Sequence, residues 1–413
     1  MSKISYVKAR EILDSRAVPT IEVEVKTENG FSGIASVASG VSIGKKEAFE
    51  LRDNDERYFG KGVLKSVSNI NEIIGPQIIG MEVSHQKEID TKMIELDGTN
   101  NKRKLGANSI LAVSMAVLNT ACNESKKELY EYLNPRDKKV PKLMFNALNG
   151  GILSKNNLDI QEFMIVPKKD SFSESLRCAS EVYNSLKSIL DENNIISFSS
   201  DCGGFSPNLD DSKTALNYII KAIELAGFTP GKDVFLALDI SATSLYNKQN
   251  KTYKIDGNIY NSEELLNYYL ELLQSYPIIS IEDSYAETDF DGFKLITEKL
   301  GKGLNIVGDD LFVTNKKDLQ KGIDVGMCNS IVIKPNQVGT FLEMLETVVL
   351  AKKNNYTCIM SQRSGETVDT YIVDIAVALN IPFIKAGSLL GGERICKFNR
   401  LLKIEEELNE KKK

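Results

Sequence analysis

The fold is decided by the run Phe235-Leu236-Ala237-Leu238-Asp239, in which apolar side chains end on a carboxylate. The same pattern returns in Ile278-Ile279-Ser280-Ile281-Glu282 and in Ile306-Val307-Gly308-Asp309. Short apolar runs of this kind predict buried strands. We therefore predict three consecutive strands, each of which carries an acid at its carboxyl end.

Further runs extend this pattern through the second half of the chain. Each ends on, or just before, a polar residue that can do chemistry: Ile160-Gln161-Glu162, Ser199-Ser200-Asp201-Cys202, Ile331-Val332-Ile333-Lys334, Ile359-Met360-Ser361-Gln362-Arg363 and Phe383-Ile384-Lys385. The later ends are spaced by roughly 25 residues, which fits one strand plus one helix. The pattern predicts a parallel β/α barrel, and such barrels place the active site at the carboxyl ends of their strands.

The first third of the chain has a different pattern. Strands are predicted at 4–12 and 19–27, and Ile21, Val23 and Val25 alternate with charged residues as in a half-buried hairpin arm. Helical patterns follow at 61–79, 84–96 and 107–123, and a linker rich in proline and charge follows at 134–139. We therefore expect an α+β cap over residues 1–133 and a barrel over residues 134–413.

The composition excludes several classes of protein. The 413 residues are 42% hydrophobic and 26% charged, as in an ordinary globular protein, and the net charge of −6 shows no nucleic-acid footprint. No apolar run is long enough to span a membrane. The six cysteines form no zinc spacing, and no signal peptide precedes them, so we expect reduced thiols in a cytoplasmic protein.

Three of the strand ends predict a metal site. If Asp239, Glu282 and Asp309 converge at a barrel mouth, their charges repel one another unless a cation lies between them. Hard oxygen ligands select Mg²⁺. The alternative for each acid taken singly is a helix cap or an ion pair with a nearby lysine.

The later strand ends predict a base and an anion site. A lysine near a dication and a second ammonium group has its pKa lowered, which makes Lys334 and Lys385 candidate bases. The alternative is an ordinary ion pair with one of the same carboxylates. Arg363-Ser364-Gly365 suits a phosphate or a carboxylate, because it offers a planar fork, a hydroxyl and a close backbone.

Several long motifs together resemble enolase over essentially the whole chain. The matching stretches are 12–16 (Ile-Leu-Asp-Ser-Arg), 47–53 (Glu-Ala-Phe-Glu-Leu-Arg-Asp), 106–111 (Gly-Ala-Asn-Ser-Ile-Leu), 159–165 (Asp-Ile-Gln-Glu-Phe-Met-Ile), 280–283 (Ser-Ile-Glu-Asp), 308–315 (Gly-Asp-Asp-Leu-Phe-Val-Thr-Asn), 334–339 (Lys-Pro-Asn-Gln-Val-Gly) and 363–367 (Arg-Ser-Gly-Glu-Thr). The resemblance implies an α+β cap on a modified TIM barrel, and usually a homodimer.

The resemblance also implies a role for each site residue. It identifies Asp239, Glu282 and Asp309 as ligands of a structural Mg²⁺ and Ser42 as a ligand of a second Mg²⁺. Lys334 is similar to the base that removes the proton α to the substrate carboxylate, as in the superfamily generally. The remaining implied residues are Glu162 and Cys202 in the catalytic set, and Lys385, Arg363, Ser364 and Gln362 in contact with the anionic substrate.

Three departures from the family pattern affect groups in or near the site, and further departures occur at Ala38, Val41, Ile43 and Gly391-Gly392. The family's Asp-Glu-Gly-Gly is here Asp201-Cys202-Gly203-Gly204, which removes a glutamate of the general-acid machinery. Two family histidines are replaced by Leu153 and Gln362, and the one histidine of the chain, His85, falls in the cap. The base, the metal ligands and the carboxylate-binding side remain, whereas proton delivery, phosphate binding and leaving-group departure are affected.

These departures leave three hypotheses. The first is a Mg²⁺-dependent lyase-type enzyme that enolises a phosphoglycerate-, phosphoenolpyruvate- or phosphonate-like acid, with dehydration of 2-phosphoglycerate weak or lost. The second is a non-catalytic protein of enolase fold that binds a metabolite or partner, including a true enolase subunit. The third is a slow genuine phosphopyruvate hydratase. The Cys202 thiol either donates a proton, acts as a nucleophile or fills space.

Overall fold

The computed structural model describes residues 1–41, 44–134 and 136–411. It confirms the predicted fold class, since a small α+β unit is followed by a closed barrel. The predicted magnesium ligand Ser42 lies outside the described residues. No helix of the described part is long and apolar enough to cross a membrane.

The N-terminal unit is an antiparallel sheet covered by helices. Its strands are paired in the order β1-β2-β3 and span Ile4–Leu13 (β1), Pro19–Thr27 (β2) and Ser32–Ser36 (β3). Its α-helices are Leu64–Ser68 (α1), Gly75–Ile78 (α2), Gln86–Asp97 (α3), Ala107–Glu124 (α4) and Leu129–Leu133 (α5). A π-helical turn, Asn69–Ile74, joins α1 to α2. The hairpin pattern and the three helical patterns thus lie where the sequence predicts them.

Helix α4 forms the centre of the cap because its faces are apolar almost all round. It packs on β2 and β3, and the approach to β3 is close at Gly33. A Cβ atom on Gly33 would lie 2.3 Å from the backbone nitrogen of Thr120, so only glycine fits there without movement. This contact fixes the helix at a short distance from the sheet.

The barrel is a ring of eight strands among the described residues. These are Lys142–Asn149 (β4), Glu162–Pro167 (β5), Val234–Asp239 (β8), Ile278–Glu282 (β12), Asn305–Gly308 (β13), Ser330–Ile333 (β14), Thr357–Ser361 (β15) and Phe383–Lys385 (β16). The ring closes because β16 pairs in parallel with β4. Short strands outside the ring are Ser197–Ser199 (β6), Phe205–Pro207 (β7), Tyr246–Asn247 (β9), Thr252–Ile255 (β10) and Asn258–Tyr260 (β11).

Helices surround the ring. They are Phe172–Glu192 (α6), Ser212–Leu225 (α7), Ser262–Ser275 (α8), Phe290–Leu300 (α9), Lys316–Val325 (α10), Phe341–Lys353 (α11), Tyr371–Ala378 (α12) and Gly392–Glu410 (α13). Inside the ring, a separate cluster of apolar side chains fills the barrel: Met144, Met164, Val166, Ala237, Val307, Val332 and Ile359. These side chains are all buried, and the polar side chains at the strand ends lie outside this cluster.

The predicted parallel barrel was wrong in two respects. One strand runs antiparallel, and one predicted strand lies outside the ring. Strand β5 is antiparallel to both neighbours, β4 and β8, so its first residue, Glu162, lies at the same mouth as the ends of the other strands. The run 199–202 is not a barrel strand, because β6 pairs with β7 in a small hairpin beside β4. Strand β4 takes the position in the ring that was predicted for the run 199–202, and the sequence pattern did not predict β4.

Candidate active site

The barrel mouth brings the predicted polar residues together. Asp239 and Glu282 are the last residues of β8 and β12, Asp309 and Lys334 directly follow β13 and β14, and Lys385 ends β16. A pocket of about 40 Å³ opens between them. Its lining consists of Leu153, Gln161, Glu162, Cys202, Asp239, Lys334, Ser361, Gln362, Arg363, Ser364 and Lys385.

Lys385 lies at the centre of three carboxylates. Its Nζ atom is 2.7 Å and 2.8 Å from the two oxygens of Glu282, 2.9 Å from Glu162 Oε2 and 3.8 Å from Asp239 Oδ2. Burial lowers the pKa of Lys385, but the charges of Glu162, Glu282 and Asp239 outweigh it and hold the pKa well above its usual value. Lys385 is therefore a fixed positive charge in the mouth.

Lys334 is paired with Asp309. Burial lowers the pKa of Lys334, yet the charge of Asp309 outweighs it, so the net direction is upward rather than the expected downward. The pairing also outweighs the effect of burial on Asp309, whose pKa is lowered. Gln337 completes the contact by donating from Nε2 to Asp309 Oδ1 at 3.0 Å. Lys334 is thus well placed as a base but protonated while this ion pair persists.

The carboxylates of the mouth fit a hard dication. Burial, with Glu162 and Asp309 nearby, raises the pKa of Asp239 to about 6, and burial raises that of Glu282 well above its usual range. The four carboxylates Glu162, Asp239, Glu282 and Asp309 face two ammonium groups, which leaves a formal charge of −2, equal and opposite to that of one Mg²⁺. Oxygen donors of this kind suit Mg²⁺.

Gln161 adds a neutral oxygen to the same side of the mouth. Its Nε2 atom donates to Asp239 Oδ2 at 3.0 Å, which leaves the buried Oε1 atom without a partner among the described residues. Buried polar atoms are normally hydrogen-bonded, so an orphaned oxygen beside an acidic cluster is a second sign of a cation position.

A second group of acids lies just behind Asp309. One carboxylate oxygen each from Asp283, Asp309 and Asp310 lies within 4.8 Å of the others. Both carboxylate oxygens of Asp283 already accept hydrogen bonds, from the backbone N–H groups of Asp309 at 2.9 Å and Asp310 at 3.0 Å. This bonding positions Asp309 at the mouth.

The predicted anion-binding side is connected to the cap. Arg363 donates from Nη1 and Nη2 to the two oxygens of Glu47, at 2.9 Å and 3.2 Å, and from Nη1 to Asn336 Oδ1 at 3.0 Å. Ser364 Oγ accepts the backbone N–H of Val41 at 2.8 Å. Ser364 therefore joins the barrel to the cap segment that ends at residue 41, and Arg363 joins it to the segment that begins at residue 44.

The residues at the three departures from the family pattern line the same pocket. Leu153 offers only apolar atoms, and the Gln362 side-chain oxygen accepts a hydrogen bond from Arg394. Cys202 is 4% exposed, and burial together with Glu162 raises the pKa of its thiol to about 12. A thiol of that pKa stays protonated at neutral pH, so this environment favours the space-filling alternative over a nucleophile.

Sequence reasoning missed several residues that complete the site. Glu47 and Gln337 lie in motifs quoted above, but nothing local indicated that they bond Arg363 and Asp309. Arg394 is fully buried and holds Gln362 together with the backbone oxygens of 201, 363 and 364, and no signal in its own surroundings pointed to that role. His85 is exposed at the start of α3 and contacts Glu88, away from the site.

An α+β cap over a barrel with a reversed second strand, and a mouth lined by acids and lysines, defines a lyase-type enzyme of the enolase superfamily. The model of the enolase C-terminal TIM barrel domain matches residues 137–413, and that of the enolase N-terminal domain matches residues 4–133. The chain belongs to the enolase family. Members of this family typically use Mg²⁺, bind small phospho-acid substrates and form dimers.

Proposed function

We propose that the protein is a Mg²⁺-dependent enzyme that removes the proton α to the carboxylate of a small phospho- or phosphono-acid, with ordinary dehydration of 2-phosphoglycerate weak or lost. One observation carries this proposal. Lys334, Lys385 and the residues at the three departures line one pocket of about 40 Å³. The pocket therefore has residues suited to removing the α-proton, and it lacks the acid groups that expulsion of the β-hydroxyl needs.

The charged residues of the mouth support the step in which the α-proton is removed. Lys334 is the proposed base; it must first leave Asp309 and lose its proton, and Arg363 must exchange Glu47 for a substrate oxygen. Lys385 stays charged and attracts the substrate carboxylate. Asp239, Glu282 and Asp309 are the proposed ligands of Mg²⁺, which when bound would stabilise the negative charge that develops beside the deprotonated carbon.

The residues at the three departures support the proposal that dehydration is weak or lost. Expulsion of a β-hydroxyl needs an acid, and Leu153 and Gln362 carry no proton of suitable acidity. The Cys202 thiol, with its pKa near 12, is a poor donor. Each proton-transfer group contributes about 10²- to 10⁴-fold in rate, so the combined losses leave little turnover.

The test incubates the protein with Mg²⁺ and 2-phosphoglycerate in D₂O. Proton NMR follows deuterium incorporation at C2, while absorbance follows phosphoenolpyruvate. We expect deuterium incorporation to exceed phosphoenolpyruvate formation by a wide margin. Dehydration at ordinary enzyme rates would reject the proposal in favour of a genuine phosphopyruvate hydratase.

A non-catalytic role is the second candidate, and the ion pairs of the mouth favour it. Lys334, Lys385 and Arg363 each have a carboxylate of this chain as partner, so a weakly binding acid would not displace these contacts. Absence of deuterium incorporation with 2-phosphoglycerate and with a panel of phosphono-carboxylates, in a protein that still binds Mg²⁺ by calorimetry, would support this role.

The proposal extends to organisation and location. We place the domain boundary at residues 133 and 134, since the family matches end and begin close to that point. We also propose a cytoplasmic homodimer, because enolase-family members typically form dimers and all six cysteines are free thiols. Light scattering of the purified protein tests the dimer, and addition of a true enolase tests mixed pairing.

A further inference from the structure

Arg394 is a buried cation behind the pocket. It is the third residue of α13 and is fully buried. Its carboxylate partner among the described residues is the neighbouring Glu393, whose Oε1 atom lies 3.4 Å from Arg394 Nε. Burial of a charge is costly unless hydrogen bonds compensate for it. The hydrogen bonds that Arg394 donates therefore show which atoms its burial stabilises.

These hydrogen bonds all go to residues beside the pocket. The Nη1 atom of Arg394 donates to the side-chain oxygen Oε1 of Gln362 and to the backbone oxygen of residue 363 at 2.9 Å. The Nη2 atom donates to the backbone oxygens of residue 364 at 2.8 Å and residue 201 at 2.6 Å. One guanidinium group therefore fixes residues 362–364 and joins them to the loop that carries Cys202.

The bond to Gln362 decides which end of the amide faces the pocket. A guanidinium group has donors and no acceptor, so the atom of the amide that Arg394 contacts must be the oxygen. The amide nitrogen Nε2 lies on the other side. It donates to no atom of the described residues and is not closed off from solvent. Because Gln362 is 6% exposed and lines the pocket, Nε2 opens into the pocket.

The amide of Gln362 is held in place before a ligand binds. Its backbone nitrogen donates to the backbone oxygen of Lys385 at 2.9 Å, and Arg394 holds the far end of its side chain. Gly387 leaves room for the nitrogen, since a Cβ atom on residue 387 would lie 2.9 Å from Gln362 Nε2. A donor fixed in this way loses little side-chain entropy when a ligand binds.

We propose that Arg394 is a positioning residue, which orients and polarises the Gln362 amide so that Nε2 donates to an oxygen of the phosphoryl or phosphonyl group of the substrate. This inference rests on the proposed function, because it places that group beside Arg363 and Ser364 in the same pocket. The guanidinium group draws electron density towards the amide oxygen and strengthens the N–H donors. Neither group ionises near neutral pH, so Gln362 is a permanent donor where the family has a titratable histidine.

Calorimetric titration with 2-phosphoglycerate and Mg²⁺ tests the contact. Gln362→Glu keeps an oxygen for Arg394 but replaces the donors with a second oxygen, and Gln362→Met removes the donors without adding charge. We expect each variant to bind at least about tenfold more weakly, as for a lost hydrogen bond to a charged group. The phosphorus NMR shift of the bound acid should also change in Gln362→Met. Unchanged affinity, an unchanged shift, or a parent chain that binds neither 2-phosphoglycerate nor its phosphonate analogue overturns the inference.

A double-mutant cycle tests whether Arg394 acts through Gln362. Arg394→Lys keeps the charge but loses the planar fork, and we expect it to weaken binding by about fivefold or more in the parent. In the Gln362→Met background it should weaken binding by less than about twofold, since the amide is already gone. An equal loss in both backgrounds would show that Arg394 supports only the backbone and would overturn the positioning role. If Arg394→Lys does not fold, the Gln362 variants still decide, because parent-like affinity in either rejects the inference.

Arg400→Lys is the matched control. Arg400 lies on the same helix and also bonds through its guanidinium group, but its partners are Asp374 and Glu128, neither of which lines the pocket. The control should leave the affinity for 2-phosphoglycerate unchanged in both backgrounds. A loss equal to that of Arg394→Lys would contradict a specific role for Arg394.

Deuterium incorporation at C2 separates this inference from the proposed function. Coupling of Arg394 and Gln362 in binding, without incorporation, leaves the inference standing and rejects the enzyme. Incorporation in a parent whose affinity the Gln362 variants do not change leaves the enzyme standing and rejects the inference.

Discussion

At the scale of single residues, the charge pattern of the mouth sets what each lysine can do. Lys385 is held by three carboxylates within 4 Å, whereas Asp309 is the one carboxylate within that distance of Lys334 among the described residues. Removing Lys334 from its partner therefore costs less than removing Lys385 from its own. This difference supports Lys334 as the mobile base and Lys385 as the permanent cation.

Lys334→Ala tests the base directly. The variant should lower deuterium incorporation at C2 by about 10²-fold or more, since it removes the group that accepts the proton. Binding of Mg²⁺ should persist, because Asp239, Glu282 and Asp309 remain. Lys299→Ala, an exposed lysine on α9, is the matched control. Incorporation that survives in Lys334→Ala would transfer the role of base to another residue.

Cys202→Glu tests whether restoring one acid is enough to give dehydration, which we propose to be weak or lost. The variant places a carboxyl group near Glu162, but Leu153 and Gln362 stay neutral. We expect phosphoenolpyruvate formation to rise by less than about 10-fold, well short of the full contribution of a restored proton donor. Activity at ordinary enolase rates from this one change would show that the other two departures are tolerated.

At the scale of elements, the sequence predicts where a barrel strand lies in the chain better than whether it runs parallel to its neighbours. The apolar run that ends at Glu162 and the runs that end at Asp239 and Glu282 indicate buried segments at one mouth, and all of these residues lie there. A local pattern does not record strand direction, so the reversal of β5 was not visible in it. In the structure, the connection over residues 150–161 has one short helical turn and lacks the α-helix that a parallel crossover usually contains.

The pairings of the site were the least predictable feature. Lys334 meets Asp309 because β13 and β14 are neighbours in the ring, which the strand spacing implied. Glu47 meets Arg363 across more than 300 residues of sequence, and that contact depends on how the cap lies on the barrel. Contacts within the barrel therefore follow from its order, and contacts across the two units do not.

Gly33→Ala tests the close approach of β3 and α4. A Cβ atom at residue 33 would overlap the helix backbone at Thr120, so the free energy of unfolding should fall by about 1–3 kcal/mol. Gly303→Ala is the matched control, because its Cβ atom would meet nothing within 4 Å. Denaturant unfolding measures both variants. An equal effect of the two would show that α4 can move away from the sheet without cost.

At the scale of the whole molecule, the cap and the barrel share a buried acid. Asp90 of α3 accepts the backbone N–H of Leu342 at the start of α11 through Oδ2 at 3.0 Å, and Gln86 donates to its other oxygen at 3.0 Å. Burial raises the pKa of Asp90 to about 7, and the nearby charge of Glu343 adds to this. The contact between the two units is therefore sensitive to pH.

Asp90→Asn tests that sensitivity. Since the pKa is raised in the folded state, the Asp90 contribution to stability is full below about pH 4 and is lost as pH rises towards about 7. The amide does not ionise, so the variant should gain stability relative to the parent between acidic and neutral pH. Urea unfolding across that range measures the gain. Parallel pH curves for parent and variant would contradict it, and exposed Asp210→Asn is the control.

The reversed β5 has a consequence for directed evolution of this protein. Gln161 and Glu162 lie at the mouth where their strand begins, so the incoming stretch 150–161 sets their position. The same stretch supplies Leu153, which lines the pocket at the mouth. A mutant library confined to these twelve codons would alter turnover and substrate choice together, whereas libraries at the far strands would separate the two traits.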